Sequence, residues 1–527
     1  MSPNRAAAQH HTSEGVAPLA GAMGGVARGG AANLLGAAVM AAASLCLTVA
    51  VTRGLSREAA GIFFSATSLF ILATTVGQLG TNTALVYFLS QARSLGRGHL
   101  IHAYLRTALR PVLLTATVMA VVMFAAARPI ASVTTPGHVE QTAGYLRVVA
   151  LFIPLAGLEN VTLAATRGLG TMRPSVMVEQ VGRCLLQLVL VTAAVWVPGS
   201  HLIGWAWSVA YLPAAVGAYL WWRHIAARRS AVDHGVSVTL SSPSPRNRPL
   251  GWEFWRFSLP RALASVGQIA MQRLDIVLVG ALSGPVQAAI YAAATRFLVV
   301  GQMGTRAISL AVQPKLGETL ARDDKAGTNH LYQTSTAWLM LVTWPLYLTF
   351  VVFGSLLVGV FGAGYRTGQG ALLILSCSML LATGCGMVDM VLNMAGRTAW
   401  NLYNVLLALA VNVGLDLWLI PGHGVLGAAI GWAAAIALQN LVPLAQVGLV
   451  MGLHPFGRAG SAAALLTLTC FGLIPWVVRL GLGETWFAVV VAALVGGAAF
   501  AVGLWALRRP LRLTALRDIR RARTVSR

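Results

Sequence analysis

A chain of 527 residues with 57% hydrophobic and only 10% charged residues carries more apolar surface than a water-soluble fold of this length can hide, which excludes a soluble globular protein. Its 38 Lys and Arg against 15 Asp and Glu give a net charge of +23, a balance that on a soluble chain would point to nucleic acid. On so apolar a chain the excess has a simpler source in the positive-inside rule and in attraction to anionic lipid head groups, so nucleic acid is not an expected partner.

Apolar runs of about 20 residues predict about fourteen transmembrane helices. They are centred near Ala42, Leu72, Thr117, Pro154, Leu188, Val209, Ile269, Val300, Thr343, Met379, Leu409, Ala435, Leu468 and Ala493. The fold class is therefore all-α and polytopic. The predicted order is a tail at 1–29, a six-helix bundle at 30–222, a polar connector at 223–251, a second six-helix bundle at 252–452, two further spans at 453–507 and a basic tail at 508–527. If the N-terminus is cytoplasmic, most Lys and Arg fall on cytoplasmic segments, which sets both termini inside a bacterial cell membrane. The first apolar run starts near Ala31 and has the length of a true span, so no cleavable signal is expected.

The two bundles read as copies of one another. VPGSHLIGWAWSVA from Val197 is echoed by IPGHGVLGAAIGWA from Ile420, and LSREAAGIFFSATSLF from Leu55 by LSGPVQAAIYAAATRF from Leu282. Six spans per copy is an even number, so the second copy enters with the orientation of the first, a build recurrent in alternating-access transporters. Each VPG or IPG segment predicts a four-residue turn opened by Pro198 or Pro421, and Gly427 and Gly431 then offer a small-xxx-small face for close packing. Pro154, Pro213, Pro260, Pro345 and Pro443 should kink or soften their spans.

Ionisable residues inside spans mark candidate sites, because each costs about 3 kcal/mol at mid-bilayer unless it meets a partner or a watery cavity. The seventh span carries Arg273 and Asp275, and the eighth Arg296 and Arg306. Glu159, Asp389 and Asp416 lie on the fourth, tenth and eleventh. Arg296 and Arg306 fall about 80° apart on a helical wheel and can border one cavity at different depths, whereas Arg273 and Asp275 fall about 200° apart and cannot pair with each other. The three arginines suggest a cationic lumen that binds an anionic substrate. Asp275, Asp389 and Glu159 are candidates for coupling or for the polar wall, as are the amides Gln78, Asn82, Asn404 and Asn412, which suit sugar hydroxyls or interhelical hydrogen bonds. Glu179 and Arg183, four apart, predict a structural ion pair. Cys46, Cys184, Cys377, Cys385 and Cys470 form no CxxC pair, and no His pair has metal-ligand spacing, so neither a metal nor another cofactor is expected. Neither Lys315 nor Lys325 sits in a phosphate-binding GxxxxGK loop, and no carboxylate cluster suits a membrane glycosyltransferase, so the chain is not read as an enzyme.

RLDIVLVGALSGPVQAAIYAAATRF from Arg273, GRTAWNLYNVLLALAVNVGLDLWLIPGHGVLGAAIGWA from Gly396 and TRGLSREAAGIFF from Thr52 resemble the polysaccharide flippase branch of the multidrug and oligosaccharidyl-lipid exporter superfamily. The resemblance implies two six-helix bundles around a central cavity and a glycan on a polyprenyl diphosphate as substrate. It also implies a basic residue two positions before an Asp on the seventh helix and an Arg on the eighth, places that Arg273, Asp275 and Arg296 occupy. Fourteen spans are also a feature of lipid II flippases, but the first span, AANLLGAAVMAAASLCLTVAV, lacks their arginine-rich opening and sets that reading lower. The leading expectation is thus a flippase for a lipid-linked oligosaccharide, with the lipid bilayer, the glycan lipid and glycan polymerases or glycosyltransferases as partners. A Na⁺- or H⁺-coupled multidrug or metabolite exporter and a non-transporting scaffold for glycan assembly are the alternatives.

Overall fold

The computed structural model describes residues 16–95, 97–98, 100–197, 201–233, 250–508 and 511. Among them every regular element is helical. The spans, in chain order, are α1 (Val16–Gly54), α2 (Arg57–Gly77), α3 (Leu100–Ala125), α4 (Val139–Gly168), α5 (Ser175–Val195), α6 (Leu202–Ala227) and α7 (Leu250–Ser283). They continue as α8 (Pro285–Ala321), α9 (Lys325–Val352), α10 (Ala363–Gly384), α11 (Thr398–His423), α12 (Val425–Met451), α13 (Arg458–Leu482) and α14 (Trp486–Ala506). All except α8 are apolar enough for a bilayer by composition alone. At 37 residues α8 is the longest helix of the second half, and Arg296, Gln302, Thr305 and Arg306 are what make it less apolar than the rest. The predicted Arg223–Gly251 connector lies partly outside the described residues, as does nearly all of the basic tail. Of the connector, the α6 helix continues to Asp233 and α7 begins at Leu250.

Both halves pack their helices in one order. In the first, α1 lies on α5, α5 on α6, α6 on α4, α4 on α3, and α2 on α3 and α4. In the second, α7 lies on α11, α11 on α12, α12 on α10, α10 on α9, and α8 on α9 and α10. The halves meet through α2 against α7 and α8, and through α1 against α8, again a symmetric set. The duplication reaches residue level at a further point: Gly77-Gln78-Leu79-Gly80-Thr81 recurs as Gly301-Gln302-Met303-Gly304-Thr305. The first copy ends α2, with Leu79 and Gly80 at φ of 49° and 70°, before the helix resumes as Thr81–Ser94; the second copy stays helical inside α8.

Close approach between the halves depends on missing side chains. A Cβ on Gly61 of α2 would strike the Pro285 backbone at the start of α8, and one on Gly280 of α7 would lie 3.0 Å from Ser65 Oγ. At the other end of the α2–α7 seam, Ser258 Oγ donates to Leu79 O at 2.6 Å. On α12, Gly427 lets the helix ride on the Leu419 backbone of α11, where a Cβ would come within 2.6 Å, as the small-xxx-small spacing predicts.

Local geometry departs from the sequence reading in several places. Pro421 does not open a four-residue turn: α11 runs through it to His423, and a single residue, Gly424 at φ 55°, reverses the chain into α12. Its counterpart at Pro198 lies outside the described residues. Of the prolines, Pro154 follows a break in α4 at Leu151–Phe152 and Pro213 follows one at Val209–Ala210, where the missing N–H falls on a helix start and costs little. Pro260, Pro345 and Pro443 sit within continuous helices. Beyond the two halves, α13 packs on α9 through Ala337, Met340, Ala459 and Ala463, and α14 packs on α13.

Candidate functional site

Where α1, α2, α4, α5 and α6 face α7 and α8, packing leaves a cavity of about 310 Å³ whose polar wall is Gln78, Glu159, Arg183, Tyr211, Arg273 and Arg296. A second chamber of about 520 Å³ opens among α7, α8, α10 and α12, lined by Gln268, Gln272, Gln302, Arg306, Gln439 and Asn440, with Asp389 exposed into it. A cleft of about 60 Å³ shares Arg273 and Arg296 with the first chamber and Gln272 and Gln302 with the second. The repeated glutamines of the GQxGT copies, Gln78 and Gln302, thus face different chambers.

Arg273 and Arg296 are the centre of this arrangement. Neither forms an ion pair with any described residue. Arg296 lies over the Phe64 ring at 5.7 Å, and its Nε is buried without a hydrogen-bond partner. Two half-buried cations that line one cavity and lack counter-ions repel each other and leave a strong positive potential for an anion to neutralise. Arg306, expected in the same lumen, opens instead into the second chamber. Ten residues of helix separate it from Arg296 by about 15 Å along the axis, which is enough to cross from one chamber to the other.

The acidic residues go to separate places. Glu159 is buried on α4 and accepts from Arg183 Nε at 3.1 Å, while Arg183 Nη1 donates to Tyr211 OH at 3.0 Å and the guanidinium lies 4.7 Å from the Tyr211 ring centre. The expected Glu179–Arg183 pair therefore does not form, and Glu179 lies 3.8 Å from Arg167. The stretch Ser175–Arg183 is a π-helix, and Arg183 turns to the buried Glu159 of α4 instead. Asp275, as its 200° offset from Arg273 requires, forms no ion pair with that residue, although it borders the small cleft that Arg273 and Arg296 also line. Tyr291 OH donates to its Oδ2 at 2.8 Å, and Asp416 approaches it from α11. Asn412 Nδ2 donates to Asp416 Oδ2 at 3.3 Å, and the absence of a side chain on Gly431 leaves the space that Asp416 fills.

The remaining amides divide. Gln78 lines the first chamber and accepts from Asn82 Nδ2 at 2.8 Å, which draws Asn82 back onto its own helix turn. Asn404 and Gln446 exchange two hydrogen bonds, 2.8 and 3.1 Å, that join α11 to α12. Asn404 is thus committed to packing and lines neither chamber. Missing from the sequence-derived candidates were Arg183, Tyr211 and Tyr291, the coupling of Asp416 to Asp275, and the amides Gln268, Gln272 and Gln439. The i,i+4 spacing of Gln268 and Gln272, and the repeated GQxGT, were the available signals for the amide wall.

Fold and site together define a multi-pass membrane protein with a charged cavity between two repeated helix bundles. The profile of the family described as polysaccharide biosynthesis protein matches residues 26–320, and that of the MatE family matches residues 260–418. Among solved structures, the inward closed conformation of the lipid II flippase MurJ is similar with a TM-score of 0.67 and 12% identity, over 91% of this chain and 98% of that one. An inward-facing multidrug resistance MATE transporter of the MOP superfamily gives 0.60 and 16%, over 78% and 94%. A MOP superfamily transporter from Pyrococcus furiosus, described as having a binding pocket of reverse polarity, gives 0.54 and 16%, over 81% and 95%. No curated protein sequence matches. The chain belongs to the polysaccharide biosynthesis protein family, and its fold is that of the MOP superfamily transporters.

Proposed function

We propose that this transporter moves an oligosaccharide linked to a polyprenyl diphosphate from the cytoplasmic to the external leaflet of the cell membrane, with both termini cytoplasmic, for surface polysaccharide or cell-wall glycan assembly. The observation that carries the reading is the pair Arg273 and Arg296, half-buried and without an ion-pair partner among the described residues, in a cavity walled by both halves. A diphosphate leaving water needs cations of this kind, and guanidinium groups bind phosphate oxygens through paired N–H donors. The adjoining amide wall, Gln268, Gln272, Gln302 and Gln439, offers both donors and acceptors to sugar hydroxyls.

A cationic drug is a poor ligand for the first chamber, where three arginines outnumber Glu159. The exporter reading keeps one observation in its favour, the buried Asp275–Asp416 pair. Two carboxylates in contact need a proton or a cation between them, so this pair suits coupling to H⁺ or Na⁺, and it serves a flippase equally well. Lipid II is itself a polyprenyl-diphosphate glycan and falls within the proposed chemical class.

Mass spectrometry of polyprenyl-diphosphate glycans in a conditional depletion strain, with a complemented control, tests the proposal. Accumulation of one full-length lipid-linked glycan with loss of its surface polymer is expected. An unchanged lipid pool in a strain without a redundant flippase, together with increased drug sensitivity, would replace it with the exporter reading.

A further inference from the structure

We infer that Glu159 and Arg183 form a displaceable pair, in which the Glu159 carboxylate holds Arg183 in the empty cavity and the diphosphate of the substrate takes Arg183 over in the loaded one. The inference rests on the lipid-diphosphate reading above and adds to it a third phosphate-binding arginine and a built-in competitor for it.

Placement comes first. Arg183 stands in the same chamber wall as Arg273 and Arg296, and Tyr211, whose hydroxyl accepts from Arg183, also neighbours Arg273. Arg183 is therefore continuous with the two unpaired cations, and its side chain keeps 15% exposure while that of Glu159 keeps 2%. Both side chains line the cavity, and the guanidinium is the more exposed of the two. Nε and Nη1 are engaged by Glu159 and Tyr211, but Nη2 has no partner among the described residues. A phosphate oxygen can begin on that free donor before the Glu159 contact is broken, so displacement does not pass through a bare buried cation.

Backbone and packing agree with a pair that can let go. Arg183 is the last residue of the π-helical stretch Ser175–Arg183, a local widening common at functional sites and able to shift its side chain against the following α-turn. The pair joins α4 to α5, and α5 has a second anchor on α6, where Gln187 Nε2 donates to Trp207 O at 3.0 Å. Glu159 also gives the cycle its return step. Once Arg183 has gone to the phosphate, the freed carboxylate sits beside two negative phosphates, repels them, and recaptures Arg183 when the lipid departs. Charge in the cavity is thereby held closer to neutral in both states.

The test is binding of farnesyl diphosphate to the full-length protein in lipid nanodiscs, with farnesol and inorganic pyrophosphate as controls, for wild type, E159Q, R183Q and the double variant. E159Q is expected to bind farnesyl diphosphate about tenfold more tightly and R183Q about tenfold more weakly, the size of one charge-assisted hydrogen bond. The double variant, which leaves no unpaired charge and so guards against misfolding, is expected to match R183Q, because Glu159 acts only through Arg183. Equal binding in wild type, E159Q and R183Q would make the pair a structural lock and overturn the inference. So would weaker binding in E159Q, which would place Glu159 itself on the ligand. R273Q and R296Q separate the two levels of the argument. If they weaken binding while E159Q and R183Q do not, only the displaceable pair is lost; if wild type does not bind or neither arginine matters, the diphosphate reading itself falls.

Discussion

Replacing Arg296 with Gln should stabilise the empty protein while disabling it. Arg296 lines the cavity with Arg273, has no acidic partner, and its buried Nε donates to nothing. An uncompensated buried cation costs several kcal/mol after relaxation, but this one is half-buried and faces a cavity that water can enter, so most of that cost is already relieved. Loss of the contact with Phe64, 5.7 Å away, gives back about 0.5–1 kcal/mol. The net gain for R296Q is therefore about 1–2 kcal/mol, which for a chain of this size corresponds to a rise of about 1–2 °C in unfolding temperature. Thermal unfolding of the purified protein in nanodiscs without ligand measures it. R273Q should behave the same way, and the double variant should gain less than the sum, because the first substitution already removes the repulsion between the two. Farnesyl diphosphate is expected to raise the unfolding temperature of the wild type by binding the folded state, and to raise that of R296Q much less. A destabilised R296Q that still binds the diphosphate would refute the reasoning, since Arg296 would then be a packing residue with a partner and not a waiting counter-ion.

Three further outcomes follow from the same geometry. Asn404 and Gln446 should show a coupling energy of about 0.6–1.7 kcal/mol in a double-mutant cycle of unfolding, with glycan export intact in N404A, because their two hydrogen bonds join α11 to α12 away from both chambers. G80A should destabilise by about 1–3 kcal/mol, since Gly80 has φ 70° and a Cβ would lie 2.6 Å from Ala262 N, whereas G414A, helical with nothing within 4 Å, should stabilise by about 0.5–1 kcal/mol; parallel melting curves of the two variants decide it. D416N should leave farnesyl diphosphate binding within about twofold of wild type while removing the dependence of transport on an imposed H⁺ or Na⁺ gradient in proteoliposomes, because Asp416 meets Asp275 but lines neither chamber itself.

Sequence alone determined the membrane class, the location of the spans and the repeat, because a bilayer demands long apolar helices and duplicated helices keep their spacing. It also singled out Arg273, Asp275, Arg296 and Glu159, since a charge inside a span is costly wherever it points. Pairing was decided only by tertiary structure. That Arg183 pairs with Glu159 of α4 and not with Glu179, four residues away on its own helix, leaves no mark in the spacing of either residue. Likewise, the division of Arg296 and Arg306 between two chambers depends on where α10 and α12 stand, and the same GQxGT residues bend in α2 yet run straight in α8. A helical wheel fixes the direction of a side chain about its own axis; which neighbour it meets is set by the packing of helices far apart in the chain.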